Sequence, residues 1–213
     1  MLASASPARL RTLRSAGIEP DVVVSGVDES IVDATTPQEL CVTLARLKAE
    51  AVVARLRDDG ARLRADAARR GEQILVLGCD SVLEFEGQVL GKPVDADDAT
   101  RRWRRMRGAS GVLHTGHCVV DADTGKRAEA TASTIVHFGN VSDSEIAAYV
   151  RTGEPLRVAG AFTIDGLGGW FVEAIEGDAG TVIGLSLPLL RRLLLELGTS
   201  PTELWPDPLP SGE

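Results

Sequence analysis

Apolar residues along this chain change rhythm repeatedly, from helical spacing to short continuous or alternating runs, and each change marks an expected element. Leu40, Leu44, Leu47, Ala51 and Ala54 form a stripe at helical spacing, and Thr36-Pro37-Gln38-Glu39 ahead of it reads as a capping box. A long helix is expected there, with Asp58-Asp59-Gly60 as the point where it would break. An earlier helix opens at Ser6-Pro7, because a serine hydroxyl can accept an otherwise unpaired amide while proline needs no donor, and it closes near Gly17. Ser142 with Glu145 caps a helix ending at Gly153, and Pro188 to Glu196 reads as a last helix closed by Gly198.

Strand signals alternate with these helices. Asp21 to Val27 and Gln73 to Gly78 are short β-branched or apolar runs, the second continuous enough to be buried on both faces. Glu84 to Leu90 reads as a hairpin turning at Glu86-Gly87, and further strands are expected at Gly116 to Asp121, Ala132 to Phe138, Ala161 to Ile164 and Trp170 to Ile175. Interleaved helices and strands indicate an α/β protein, and the hairpin favours a mixed sheet over a purely parallel one. One folding unit is expected over residues 1–198, followed by an irregular Pro-rich tail over 199–213.

Composition narrows the function classes. Hydrophobic residues at 44% and charged residues at 25% match folded globular chains rather than disordered ones. A formal charge of -8 disfavours general nucleic-acid binding, which needs a broad basic surface, yet leaves room for a local anion site. The apolar runs fall short of the roughly 18 residues of a membrane span. With no signal-peptide pattern, a cytoplasmic protein without membrane contact is expected. Cys41, Cys79 and Cys118 lack any C-x-x-C pair and read as buried thiols, and the histidines show no H-E-x-x-H arrangement.

Candidate chemistry gathers at a few places. Ser6 and the first helical turn present helix amides to an anion, with Arg9 one turn in, although the same residues also make an ordinary capped helix. A buried strand brings Asp80 to its end, where α/β sheets bind ligands, unless Asp80 only caps a turn. The chain has 20 Arg but only three Lys. Of these, Lys48 sits at the margin of the apolar stripe, free to snorkel or to enter a cleft, and Lys92 is held in the Gly91-Lys92-Pro93 loop. Asp28-Glu29 could join Asp80 in holding a divalent ion, or be a surface acidic pair. RRWRRMR, Arg101 to Arg107, follows Asp95, Asp97 and Asp98 and reads as a solvated helix over a stripe of Ala99, Trp103 and Met106, rather than as a nucleic-acid patch.

Taken in order, LASASPAR, ARLKA, GCDSV, GQVLGKP, SGVLH, TGEP, AGAFTIDG and VIGL span nearly the whole chain and together resemble the Maf family of nucleotide pyrophosphatases. The resemblance implies a two-lobed α/β fold around an elongated sheet, a homodimer, and a nucleotide bound between the lobes. It implies hydrolysis of a nucleoside triphosphate between the α- and β-phosphates with Mg²⁺ or Mn²⁺. Carried over by position, Asp80 is the proton acceptor and a metal ligand with Glu29, while Ser6, Arg9, Lys48 and Lys92 line the triphosphate. His114 fits the pattern S-G-x-x-H and is read as structural. Ala8, Ser81 and Asp165 depart from the residues frequent at positions that the family links to base selection, so Ser81 and Asp165 are taken as substrate-binding and the preferred base is left open. The other function considered is a non-catalytic nucleotide-binding regulator of cell division and septum formation.

Overall fold

The computed structural model describes residues 1–28, 32, 34–58, 69 and 73–206. In chain order its elements are α1 (Pro7–Ser15), α2 (Pro37–Asp58), β1 (Leu75–Phe85), β2 (Gln88–Leu90), α3 (Ala96–Met106), β3 (Ser110–Asp121), β4 (Arg127–Phe138), α4 (Asp143–Arg151), β5 (Val172–Glu176), α5 (Ala179–Ile183) and α6 (Leu187–Glu196). Short 3-10 turns lie at Pro155–Arg157, Ala159–Ala161, Leu167–Phe171 and Pro201–Leu204.

The α/β class stands, with a five-stranded sheet in the order β2-β1-β3-β4-β5 whose paired strands are all antiparallel. Among the described residues parallel pairing is confined to isolated bridges from Leu2 to Val22 and Leu77, so the mixed character expected of the sheet is slight. The expected strand from Asp21 to Val27 reduces to that bridge at Val22. Ala161 to Ile164 is not a strand either, because Gly160 and Ala161, both at positive φ, turn the chain against Leu83. β5 starts at Val172, since Trp170 belongs to the preceding 3-10 turn. The hairpin turn is where it was expected, with Glu86 and Gly87 at φ 50 and 70. Two successive left-handed residues give a two-residue turn the twist that joins antiparallel strands. α5 carries no signal in the apolar pattern, being a single turn capped by Asp178.

α2 buries Cys41, Leu44, Ala45, Lys48, Ala49, Val52, Val53 and Leu56, a face rotated from the stripe expected of Leu40, Leu47, Ala51 and Ala54. The reason lies in the sheet beneath it. A Cβ on Gly78 would stand 2.0 Å from the Ala45 carbonyl oxygen, and one on Gly116 would stand 2.2 Å from the Cys41 carbonyl carbon. Small helix residues therefore press onto strand glycines, and the larger leucines are rotated off that contact.

Apolar side chains pack in clusters on either side of the middle of β1. Val76, Leu77 and Cys79 belong to clusters with α2 and with α1 and α6, whereas Leu83 and Phe85 belong to one built on Trp103 of α3 and Tyr149 of α4. Trp103 is fully buried, stacks edge-on with Phe138, Tyr149 and Phe171, and donates its indole N–H to the Ala161 carbonyl at 2.8 Å. Asp80, Ser81 and Val82 lie between the two packed regions.

Candidate active site

The edge of β1 opposite β3 changes partner along its length. Met1 to Ala3 runs beside it as far as Leu77, through Leu77 N–H to Met1 O at 3.0 Å and Ala3 N–H to Leu77 O at 2.8 Å, and β2 takes over only at Leu83. Between them, Cys79 to Val82 has no strand neighbour on that edge among the described residues. Asp80 is thus not at a strand end, where the apolar run alone would put it, but at a gap within a long strand where the neighbouring chain switches. Such switch points are where open sheets leave a crevice. Chain leaves the gap on both sides: Ser4 to Ser6 leads into α1, and β2 ends at Leu90, opposite Leu83, so that Lys92 departs at the other rim.

Strand alternation places Asp80 and Ser81 on opposite faces. Asp80 faces α2, where its Oδ1 receives the Lys48 ammonium at 2.5 Å, with the two residues 8% and 9% exposed. Lys48 is therefore central on the buried face of its helix. The glycines beneath α2 make this contact possible, because they let the helix axis come close enough for a lysine to meet a strand carboxylate. Farther along the same face, both ring nitrogens of His114 are engaged, Nδ1 with Ser133 Oγ at 2.7 Å and Nε2 with Glu84 Oε2 at 3.0 Å, which suits a structural histidine.

Ser81 faces α1 and α5 and belongs to a different network. Arg9, 9% exposed, donates from Nε to the Gly184 carbonyl at 2.8 Å, from Nη1 to Ser4 Oγ at 3.1 Å and the Cys79 carbonyl at 2.8 Å, and from Nη2 to Ser81 Oγ at 3.0 Å. Four of the five guanidinium N–H groups are thus used on neutral acceptors. Among the described residues no carboxylate stands within ion-pair distance of Arg9. Beyond Ser81, Thr115 gives its one hydroxyl proton to the Thr181 carbonyl at 2.8 Å, so at its 2.8 Å contact with Ser81 it accepts. The proton order is fixed from Arg9 to Ser81 to Thr115 to Thr181.

Ser6 caps α1, accepting from the Arg9 amide at 3.4 Å, while the Ser6 amide itself goes to Ser4 Oγ at 3.2 Å. Of the first-turn amides only that of Ala8 has no protein partner among the described residues. Ser6, Arg9, Ser81, Asp80 and Lys48 therefore surround one gap, and Lys92, an exposed residue, lies two residues beyond Leu90, which pairs with Leu83 where the gap ends. Asp165 stands apart, beyond the outer face of α1, where its Oδ2 pairs with Arg11 at 3.0 Å. A depression of about 370 Å³ lies there, lined by Ala8, Arg11, Thr12, Asp165, Ile183 and Leu187. Glu29 lies outside the described residues. No group of three or more His, Cys, Asp or Glu side chains with metal-binding geometry occurs among the described residues. One or two carboxylates still suit Mg²⁺, whose remaining ligands are usually water and phosphate oxygen.

Sequence reasoning missed two residues here. His117, fully buried one register pair from the gap, donates from Nδ1 to the Thr115 carbonyl at 3.0 Å and accepts the Ser186 amide on Nε2 at 2.9 Å. Burial pushes its pKa down to about 4, aided by the charge of Arg9, so the ring is neutral and pins the start of α6 to β3. Glu154, in the turn after α4, organises the loop that carries Asp165. Glu154 lies within the TGEP motif, but no spacing rule gives either residue a role: His117 holds the Ser186 amide, and Glu154 gathers the Tyr149 and Thr163 hydroxyls with two loop amides. The three cysteines are buried as expected, and burial raises all three thiols, Cys41 to about 12. The arginines of α3 and its end pair with acids, Arg102 with Asp98 at 2.7 Å, Arg105 with Glu86 at 2.6 Å and Arg107 with Asp143 at 2.7 Å.

The sequence matches the family model of the Maf-like proteins over residues 1–197. A protein of Salinispora tropica is 66% identical over 96% of this chain and 86% of its own length, and one of Streptomyces coelicolor is 58% identical over 96% and 93%. A relative from Nostoc punctiforme is 47% identical over 96% of each chain. All three carry the name nucleoside triphosphate pyrophosphatase. With residues 1–197 matched by the family model and 96% of the chain by these relatives, the gap flanked by an Asp–Lys pair and a buried arginine sits in a chain that belongs to the Maf family.

Proposed function

We propose that this chain is a nucleoside triphosphate pyrophosphatase, a hydrolase that opens the anhydride between the α- and β-phosphates and yields a monophosphate and pyrophosphate. The observation that carries this reading is Arg9, a buried cation hydrogen-bonded to neutral groups, beside an Asp–Lys pair at an open strand edge. Among the described residues Arg9 has no counter-ion; a buried charge in that state is costly, and an anionic ligand at the gap offsets that cost. Phosphoryl transfer asks mainly for positioning and charge neutralisation, which Arg9, Lys48 and Lys92 supply from three sides with Ser6 at the helix start.

Asp80 takes the proton of the attacking water. A carboxylate is a weak base towards free water. Mg²⁺ or Mn²⁺, held by Asp80 and Glu29 together with substrate phosphate oxygens, would neutralise charge and make that water more acidic. Lys48 holds the Asp80 carboxylate in place and shares its charge with the phosphates. The non-catalytic regulator is not favoured, since relatives covering nearly the whole chain are named as the enzyme. Dimerisation and residence in the cytoplasm belong to the same proposal. No described helix is long and apolar enough to cross a membrane. Incubation with a panel of nucleoside triphosphates and either metal should release pyrophosphate and monophosphate in equal amounts. Orthophosphate in place of pyrophosphate would overturn the reading.

A further inference from the structure

Two of the bonds that hold Arg9 open chains of contacts that end on β3. Along the first, Nη2 donates to Ser81 Oγ at 3.0 Å, Ser81 donates to Thr115 Oγ1 at 2.8 Å, and Thr115 donates to the Thr181 carbonyl at 2.8 Å. Along the second, Nε donates to the Gly184 carbonyl at 2.8 Å, and Ser186, just beyond it, gives its amide to His117 Nε2 at 2.9 Å. Thr115 thus fixes the start of the α5–α6 corner, residues 181–186, and His117 fixes its end, with the Gly184 carbonyl between them. Gly184 closes α5 at φ 112, and a Cβ there would stand 3.2 Å from Arg9 Nε, so glycine suits both the left-handed turn and the close approach of the guanidinium.

Strand alternation lets β3 do this. Gly116 lies under α2 on one face, while its neighbours Thr115 and His117 point to the other, where Val119 packs with Leu185 and Leu189. Thr115, His117, Thr181 and Ser186 are buried on that apolar side of the sheet. Buried polar groups are tolerated where their partners are supplied, and a satisfied network fixes one arrangement of the elements it joins. Here the network leads to a cation. Among the described residues four of the five N–H groups of Arg9 are engaged by Gly184, Ser4, Cys79 and Ser81, and one Nη2 N–H is left for an anion. The guanidinium is a rigid plane, so displacing the Gly184 carbonyl or Ser81 turns it and carries that N–H along.

We propose that Thr115 and His117 are positioning residues for triphosphate binding: by holding Ser81 and the α5–α6 corner from β3, they aim the remaining N–H of Arg9, and so set how tightly the triphosphate is held rather than how fast its anhydride opens. This rests on the pyrophosphatase reading. Both side chains lie on the face away from the contact of Asp80 with Lys48, so the Asp80 carboxylate does not move with them. The effect falls alike on all nucleotides, because in that reading Arg9 meets phosphate and not the base.

The test is titration with the α,β-methylene analogues of the common nucleoside triphosphates in the presence of Mg²⁺, together with kcat and KM for pyrophosphate release from the natural compounds. His117→Leu removes the acceptor of the Ser186 amide and should weaken binding of every analogue, and raise every KM, by about fivefold or more, with kcat within about twofold of the wild type. His117→Gln keeps an acceptor for that amide and should stay within about twofold of wild-type affinity. In an Arg9→Gln background His117→Leu should weaken binding no further, because its effect passes through Arg9. Thr115→Val, close in shape but without the hydroxyl, should repeat both results, and it decides the matter should His117→Leu fail to fold. Wild-type affinity in a folded His117→Leu or Thr115→Val protein, a loss that adds fully to that of Arg9→Gln, or a fall in kcat with KM unchanged overturns the proposal. Wild-type protein that binds the analogues yet releases no pyrophosphate removes the pyrophosphatase reading, and the affinity comparison still decides the positioning role. Wild-type protein that binds none of them removes both.

Discussion

Asp80 and Ser81 are neighbours in the chain, yet their side chains stand on opposite faces of the sheet in different company. Asp80 meets a lysine, and charge is balanced within the protein. Ser81 meets Arg9, whose positive charge is surrounded by carbonyls and hydroxyls. The first face holds a carboxylate in a defined place, and the second holds a cation bonded to neutral acceptors. In the proposed function a polyphosphate at the strand edge reaches both, so turnover should follow the α2 face and affinity the α1 face.

Replacing Asp80 with Asn tests the first half of that division, with the largest effect expected. Turnover should fall roughly 10²- to 10⁴-fold, as when a general base is lost, while KM moves little. Steady-state kinetics would show the split, and an equal change in both parameters would erase the distinction between the faces. Gly78→Ala attacks the same face through its scaffold. The new methyl group would meet the Ala45 carbonyl and push α2 off the sheet, costing about 3 kcal/mol. Denaturant unfolding should report this loss, together with reduced activity from a displaced Lys48.

On the other face the expected effects fall on stability. His117 is held neutral, its pKa lowered from 6.5 to about 4. Its contribution is fully present above pH 6.5 and is lost as pH falls towards 4, because the unfolded chain takes up the proton first. The total is on the order of 3 kcal/mol. Unfolding followed across that window should show the slope in the wild type and a shallower one in His117→Gln. Ser81→Ala removes one link between Arg9 and Thr115 and should cost about 1 kcal/mol. A drop in melting temperature without loss of the Asp80-dependent rate would show that the two faces are separable.

Much of this was legible in the chain. Ser6-Pro7 and Ser142 with Glu145 cap helices by local chemistry, and both helices form as expected. The ordered motifs bring Ser6, Arg9, Lys48 and Asp80 to one place. The rotation of α2 was hidden, because it depends on Gly78 and Gly116, whose importance emerges only when a helix lies on them. Strand limits were hidden for a similar reason: β1 continues past Gly78 through Cys79, Asp80 and Ser81, which carry little apolar signal but are held by ten residue pairs in register with β3. His117 and Glu154 stayed silent because no spacing pattern announces their partners, the Ser186 amide for His117 and two hydroxyls with two loop amides for Glu154.

One anion bridging the two faces, bound chiefly by Arg9 and processed by Asp80, is tested most directly by titrating Arg9→Gln with an α,β-methylene nucleoside triphosphate. The substitution removes the charge but keeps side-chain donors. Affinity should be at least about tenfold weaker than that of the wild type, the scale of a single charge-assisted hydrogen bond. Wild-type affinity in a folded Arg9→Gln protein would contradict the bridging role.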